Sequence, residues 1–540
     1  MSLPSNRWID GAISTRWAHA SICLLIVARA RRIHYHACPT ARRGHCLAMI
    51  EDKIELLKMN GRKDDTSARL KSDVIGPWGL AALVIGVTSP AIGLFATWGP
   101  IEATAGPIAP LVFLAAMIII LPTVLSYASL NRHAPSAGAV SHWLGTAVNP
   151  ATGMAAGLVM ICYLLMSAIT VPLLFALFFR DMLGWLHVAI PGMTALVTGL
   201  VIQSGIVTWI CLRGAEASIK TTIRLTLLET AVVLALSITI LWVKAGQPGG
   251  INLGPVNPGH ATQGLSGFWA AIILGILAFS GFDVVATAAE ESRAPREHIP
   301  TVLIAAVVGM ALFWAVNAWV LTLSAPPGEV EKYNAEGLTA ITPIARNYWG
   351  WGSVVVIGTA FTGLTAIYIA SVQGASRVIF HLARSGVLPA PFAGLKGEKR
   401  VPHVAVVFAM LTCVAMGLLS LAILRNGLDA FVWWSSAMVF FAALTFTAVN
   451  VANILYFRRI LPEQFNAIRH LVVPSVGIIF NFYLIYAAFF SALWSAPFRT
   501  GRSIVFMCLV LLALLLLIVA WVRFARSEPK TRAPSGIEPR

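Results

Sequence analysis

The sequence predicts an all-α polytopic membrane protein with about twelve transmembrane helices, and three observations predict it. Of 540 residues, 58% are hydrophobic and only 11% are charged. A soluble domain carries about 25% charged residues, so this chain cannot clothe a water-facing surface of its size. Long uncharged runs, among them Val74 to Ile101, Ile190 to Leu212 and Ala245 to Phe282, alternate with short clusters of Lys, Arg and Glu. Each run holds the roughly 20 apolar residues that cross a ~30 Å hydrocarbon core, and in the absence of water each must be a helix that satisfies its own backbone.

The spans fall near 75–100, 107–130, 151–179, 190–211, 223–243, 266–289, 300–323, 352–380, 403–424, 429–456, 471–494 and 502–523. Pro150, Pro191, Pro300 and Pro402 are each read at or just before a helix start, where a missing N–H costs little. Gly153 and Gly157 form a GxxxG face suited to close helix packing. Pro122 and Pro172 read as ordinary kinks.

The ends divide differently. Residues 1–48 hold three of the seven cysteines, four of the twelve histidines and seven arginines, with Asp10 as their one acid. Their apolar run, Ala18 to Ala30, is too short to span and precedes its arginines, the reverse of a secretory signal. The expectation is that translation starts at Met49 or Met59, the alternative being a genuine disordered basic tail. Residues 49–74 read as a cytoplasmic segment, 75–524 as the twelve-helix membrane domain and 525–540 as a polar cytoplasmic tail.

The net charge of +16 does not indicate nucleic acid, because the bases sit in short loops rather than in one patch or stripe. With the N-terminus in the cytoplasm, the inner loops carry fourteen Lys and Arg against seven in the outer loops. This bias places both termini inside and predicts a multi-pass protein of the cytoplasmic membrane. Cys162, Cys211, Cys413 and Cys508 read as small buried hydrophobes. No CxxC pair exists, so neither a zinc site nor a disulfide framework is indicated, and no cofactor is expected.

Two spans are broken. The first is interrupted at Thr88-Ser89-Pro90-Ala91-Ile92-Gly93, where Pro90 removes a hydrogen bond and Gly93 relaxes the backbone. The sixth is interrupted near Phe279-Ser280-Gly281-Phe282-Asp283. These spans are five apart, and matching breaks in two halves point to an inverted-repeat transporter with a midplane site. Half-helix N-termini attract a carboxylate and freed carbonyls accept from an ammonium, a combination that suits a zwitterion. The alternative is a pair of simple kinks.

From about Ile75 onward the chain resembles the amino acid–polyamine–organocation superfamily of permeases. The segments that carry the resemblance are Ser89 to Phe95, Pro135-Ser136-Ala137-Gly138, Leu212-Arg213-Gly214, Phe279 to Asp283 with Glu290 to Arg296 and Ile299-Pro300, and Ser376-Arg377 with Ala383 to Pro389. The resemblance implies a five-plus-five inverted repeat with discontinuous helices one and six, two extra helices and alternating access. It implies that the backbone of Ser89, Ala91, Ile92 and Gly93 holds a substrate carboxylate, and that carbonyls around Phe279 and Ser280 hold the amino group. Gly281 allows close approach of the backbone, Phe282 is a candidate gate, and Asp283 stands where the family commonly has glutamate.

Glu229 lies inside span five, and an ionisable residue within a span is a functional suspect. It resembles in position the site where some family members place a lysine that replaces a coupling sodium, which makes it a candidate to carry a proton or coordinate a cation. The alternative is a boundary residue paired with Arg224. A sodium site would instead draw oxygens from Thr88, Ser89, Ser371 and Ser376. His381 reads as interfacial. No cluster of acids, histidines and nucleophiles indicates an enzyme, no charged ring a channel, and no ligand set at the breaks a divalent metal. The expected function is proton-coupled or exchanging transport of amino acids or related amines. Sodium symport and a non-transporting nutrient receptor remain as alternatives.

Overall fold

The computed structural model describes residues 70–325, 328–335, 340–486, 507–514 and 517. The N-terminal extension, most of the predicted twelfth span and the tail lie outside the described residues. The first span is α1 (Pro77–Thr88) followed by α2 (Pro90–Phe95), with α3 (Trp98–Ala105) beyond it. Then come α4 (Ala109–His133), α5 (Val140–Ala147), α6 (Pro150–Trp185), α7 (Gly192–Leu212) and α8 (Ala215–Ala245). The sixth span is α9 (Gly264–Ala278), a run of turns and α10 (Val284–Thr287). The rest comprises α11 (Pro295–Ser324), α12 (Glu329–Ala335), α13 (Ile341–Trp349), α14 (Val354–Arg384), α15 (His403–Leu424), α16 (Gly427–Arg459) and α17 (Val473–Ile485). Among the described residues ten stretches are long and apolar enough to cross a membrane, and α9 is a shorter apolar helix.

Both breaks fall where the sequence puts them. Ser89 takes φ 46°, in the left-handed region that side chains rarely enter, and ends α1. Its Oγ accepts from Ile92 N at 3.1 Å and caps α2, whose first residue, Pro90, has no N–H to satisfy. In the sixth span Gly281 takes φ 99°, and single-turn bonds such as Phe279 N to Ile276 O replace the α ladder.

Two boundaries differ from expectation. The fifth span begins at Ala215, not near 223, because Glu216, Lys220 and Arg224 occupy its first turns while remaining in the helix. Glu216 and Lys220 pair one turn apart at 2.8 Å. Glu229 is therefore the fifteenth residue of α8, about 21 Å from its start at 1.5 Å per residue. Likewise α11 starts at Pro295, and Pro300 lies inside it rather than at its beginning.

The polarity of α8 is inside out. Leu227, Ile238 and Trp242 are exposed, while Ser218, Thr222, Thr226 and Glu229 are buried. An apolar outer face against lipid and polar groups turned inward is the arrangement a bilayer favours. The GxxxG face finds its partner in α5: a Cβ on Gly153 would meet Ser141 O at 2.5 Å and Gly145 Cα at 2.6 Å. Gly138, in the loop before α5, leaves room for the half-buried His381 ring, which a Cβ would meet at 2.3 Å.

The start of α1 is fastened to the segment after the sixth span. Val74 N and Ile75 N donate to Glu291 O, each at 3.0 Å, and Arg293 N donates to Ile75 O at 3.1 Å. Two ion pairs add α14 to this end: Glu291 with Arg377 at 2.6 Å and Glu290 with Arg384 at 2.5 Å. Toward the other end a vestibule of about 510 Å³ opens between Glu102, Asn252, His260 and Thr322.

Candidate functional site

Between the breaks lies a cavity of about 110 Å³, smaller than the ~300–1,000 Å³ typical of drug-sized ligands. Its polar atoms are the hydroxyls of Thr97, Ser167, Thr170, Ser280 and Ser435. Its apolar wall includes Val87, Ile92, Val171, Leu174, Phe431 and Met438, and among the described residues no charged side chain lines it. Six elements therefore build the site: α1 and α2 with the turn after them, the sixth-span break, α6, α14 and α16.

Of the residues singled out in the sequence, Ile92, Gly93 and Ser280 line this cavity. Phe279 stands behind it, ring centroid 4.9 Å from that of Trp314. Gly281 backs onto Val87, whose Cγ2 a Cβ would meet at 2.5 Å. Phe282 is buried in an aromatic cluster, 5.7 Å from Tyr127 and 5.2 Å from Phe446. The Asp283 carboxylate accepts from Tyr163 Oη at 3.0 Å and Tyr127 Oη at 3.3 Å, so two tyrosines turn it toward α4 and α6.

Ser89 and Ala91 meet Glu229. Ser89 Oγ donates to Glu229 Oε2 in a short hydrogen bond, and Ala91 N donates to the same oxygen at 3.4 Å. Glu229 is fully buried and does not approach Arg224, which is exposed. The carboxylate thus sits at the N-terminus of α2, where unpaired N–H groups and the helix dipole favour an anion. Gly363 of α14 makes this packing possible: a Cβ there would lie 2.6 Å from Ser89 Oγ and 3.1 Å from Glu229 Oε2. Ser371 is elsewhere, two turns further along α14, where its hydroxyl bonds that of Ser167 at 3.0 Å. The structure does not bring Ser371 and Glu229 together.

Sequence reasoning missed Trp314. Its Nε1 donates to Pro90 O at 3.2 Å, tying α11 to the first residue of α2. Its indole fills the space beside Gly93, where a Cβ would come within 2.3 Å. The hydroxyls of α6 and α16 were missed too. A tryptophan or serine in an apolar helix carries no local mark of what it faces.

A helical membrane protein with interrupted first and sixth spans around one small cavity is built as a solute transporter. The comparisons agree. The family model for amino acid permeases matches residues 75–515, and the chain belongs to that family. It is 24% identical over 432 residues to the branched-chain amino acid permease BcaP of Bacillus subtilis, covering 76% of this chain and 87% of that protein. To BcaP of Lactococcus lactis it is 24% identical, over 57% of this chain and 68% of that one. In structure it is similar to a manganese transporter mutant of Eremococcus coleocola, with a TM-score of 0.53 and 11% identity, over 83% of this chain and 94% of the other. That likeness concerns the fold alone. The present cavity offers hydroxyls rather than the carboxylate, imidazole or thiolate groups that hold transition metals. The protein is a multi-pass membrane amino acid transporter.

Proposed function

We propose that the protein carries small neutral amino acids with aliphatic side chains by alternating access, coupled to protons through Glu229. The uncharged lining of the central cavity carries the substrate reading. A cationic or anionic side chain finds no counter-ion there, and an unpaired charge in such a site is costly. A zwitterion brings its own two charges, which the five cavity hydroxyls meet, while Val171, Leu174 and Phe431 receive the side chain. The two breaks support the inverted repeat, and similarity to branched-chain permeases along most of the chain points the same way.

Proton coupling rests on geometry. Glu229 is the acid at the first-span break, buried and fastened to Ser89, so any movement of α2 relative to α8 alters its surroundings, whereas Asp283 at the sixth-span break is held by two tyrosines. In proteoliposomes, uptake of labelled leucine or alanine should be driven by an imposed pH gradient and inhibited by neutral amino acids, with lysine and glutamate failing to compete. Glu229→Gln should remove pH-driven accumulation and leave substrate exchange, since a neutral side chain of the same shape still permits alternation. Competition by lysine as strong as by leucine would refute the substrate class, and sodium-driven uptake unchanged in Glu229→Gln would refute the coupling.

A further inference from the structure

Two buried polar atoms on the inward face of α8 have no hydrogen-bond partner among the described residues: Glu229 Oε1 and Thr226 Oγ1. The residues are three apart, hence neighbours on one helix face. Both face the first span. Thr226 Oγ1 stands 3.3 Å from where a Cβ on Gly86 would be, and three residues on, Ser89 holds the other Glu229 oxygen. Gly86 keeps this space open, because a Cβ there would strike Thr222 Cγ2 at 2.3 Å. Thr222 and Ser218 continue the buried face toward the start of α8. There Ser218 Oγ donates to Gly214 O and accepts from Gln373 Nε2, each at 3.2 Å.

Buried polar atoms are rarely left unpaired, and an ordered water is their usual partner in a polar site. The groups around Glu229 are neutral: Ser89 and the Ala91 backbone from the first span, and Gly363 from α14. On α11, Asn317 turns instead to Ser237 at 2.6 Å, two turns away along α8. Lys220 and Arg224 are exposed on the other side of α8, and among the described residues Glu229 has no ion-pair partner.

Building on the coupling role of Glu229, we propose that a water held between Glu229 Oε1 and Thr226 Oγ1 relays protons to and from the end of α8 that begins at Ala215. In the orientation read from the loop charges, that end is cytoplasmic. The step is a proton hop. The water gives one proton to the carboxylate, forming the acid, and takes one from the Thr226 hydroxyl, whose oxygen in the same step receives one from water entering on the Thr222 side; the hydroxyl is left unchanged and the net transfer is one proton from that water to Glu229. Release of the proton reverses each transfer.

Thr226→Val keeps the shape and removes the hydroxyl, and Thr226→Ser restores it. In proteoliposomes Thr226→Val should slow pH-driven uptake roughly tenfold, as loss of a hydrogen bond to a charged group does, while counterflow proceeds and Thr226→Ser matches wild type. Should Thr226→Val not reconstitute, Thr226→Ala gives the same readout. The relay is overturned if pH-driven uptake survives in Thr226→Val but not in Glu229→Gln, or if counterflow falls equally, which marks a structural hydroxyl. Sodium-driven uptake lost in both variants would overturn it too, since the pair would then hold a metal ion. If wild type shows no pH-driven uptake at all, the coupling role of Glu229 itself fails.

Discussion

Gly93 and Gly281 are demanded by two different neighbours. A valine at 93 puts its Cβ 2.3 Å from the Trp314 indole, which is itself held by its bond to Pro90 O. Any side chain at 281 meets Val87 and must adopt φ 99°, a conformation that costs about 1–3 kcal/mol outside glycine. Gly93→Val and Gly281→Leu should therefore abolish uptake while the protein still inserts and purifies as a monodisperse species, measured by transport assay and gel filtration. Normal uptake in both variants would place the substrate elsewhere. At this scale the sequence was legible where chemistry is local: Pro90 with Gly93 marks a weak point in the first span, and Glu229 is an acid in an apolar run. It was silent on Trp314, Ser167, Thr170 and Ser435, whose meaning comes only from helices far apart in the chain meeting at one cavity.

The elements are joined by charges whose burial hydropathy does not reveal. Arg377 falls at the end of the predicted eighth span and is counted with the inner-loop bases, yet α14 runs on to Arg384 and Arg377 is buried, 1% exposed beside Glu291 at 8%. Its Nη2 reaches Glu291, while Nε and Nη1 find no partner among the described residues. Removing one member of a buried pair strands the other charge, at a cost of about 3–5 kcal/mol, whereas replacing both by apolar groups is often neutral. Arg377→Met should accordingly lower the melting temperature in detergent, and Arg377→Met with Glu291→Leu should recover most of the loss. A double variant as unstable as the single one would show that the two side chains act separately. The start of α8 was misplaced for a related reason, because hydropathy drops at Glu216, Lys220 and Arg224 although the helix continues through them.

At the scale of the molecule, the fastened end and the open vestibule define two sides, and the loop charges say which is which. Both termini should face the cytoplasm and the 324–350 loop the exterior. In a cysteine-free background, an impermeant thiol reagent applied to intact cells should label a cysteine at Asn334 and not one at Ser385; the opposite pattern would invert the topology. The class of fold was legible throughout because a bilayer permits so few alternatives, whereas the cavity's contents depend on packing between five spans. The central claim, that this cavity moves a neutral amino acid rather than merely sensing one, is tested most directly by counterflow. Proteoliposomes preloaded with unlabelled leucine or alanine should take up a trace of the labelled amino acid to a transient excess, and the excess should vanish in Gly93→Val. Saturable binding of the same amino acid with no such overshoot in the wild-type protein would contradict the account and indicate a receptor.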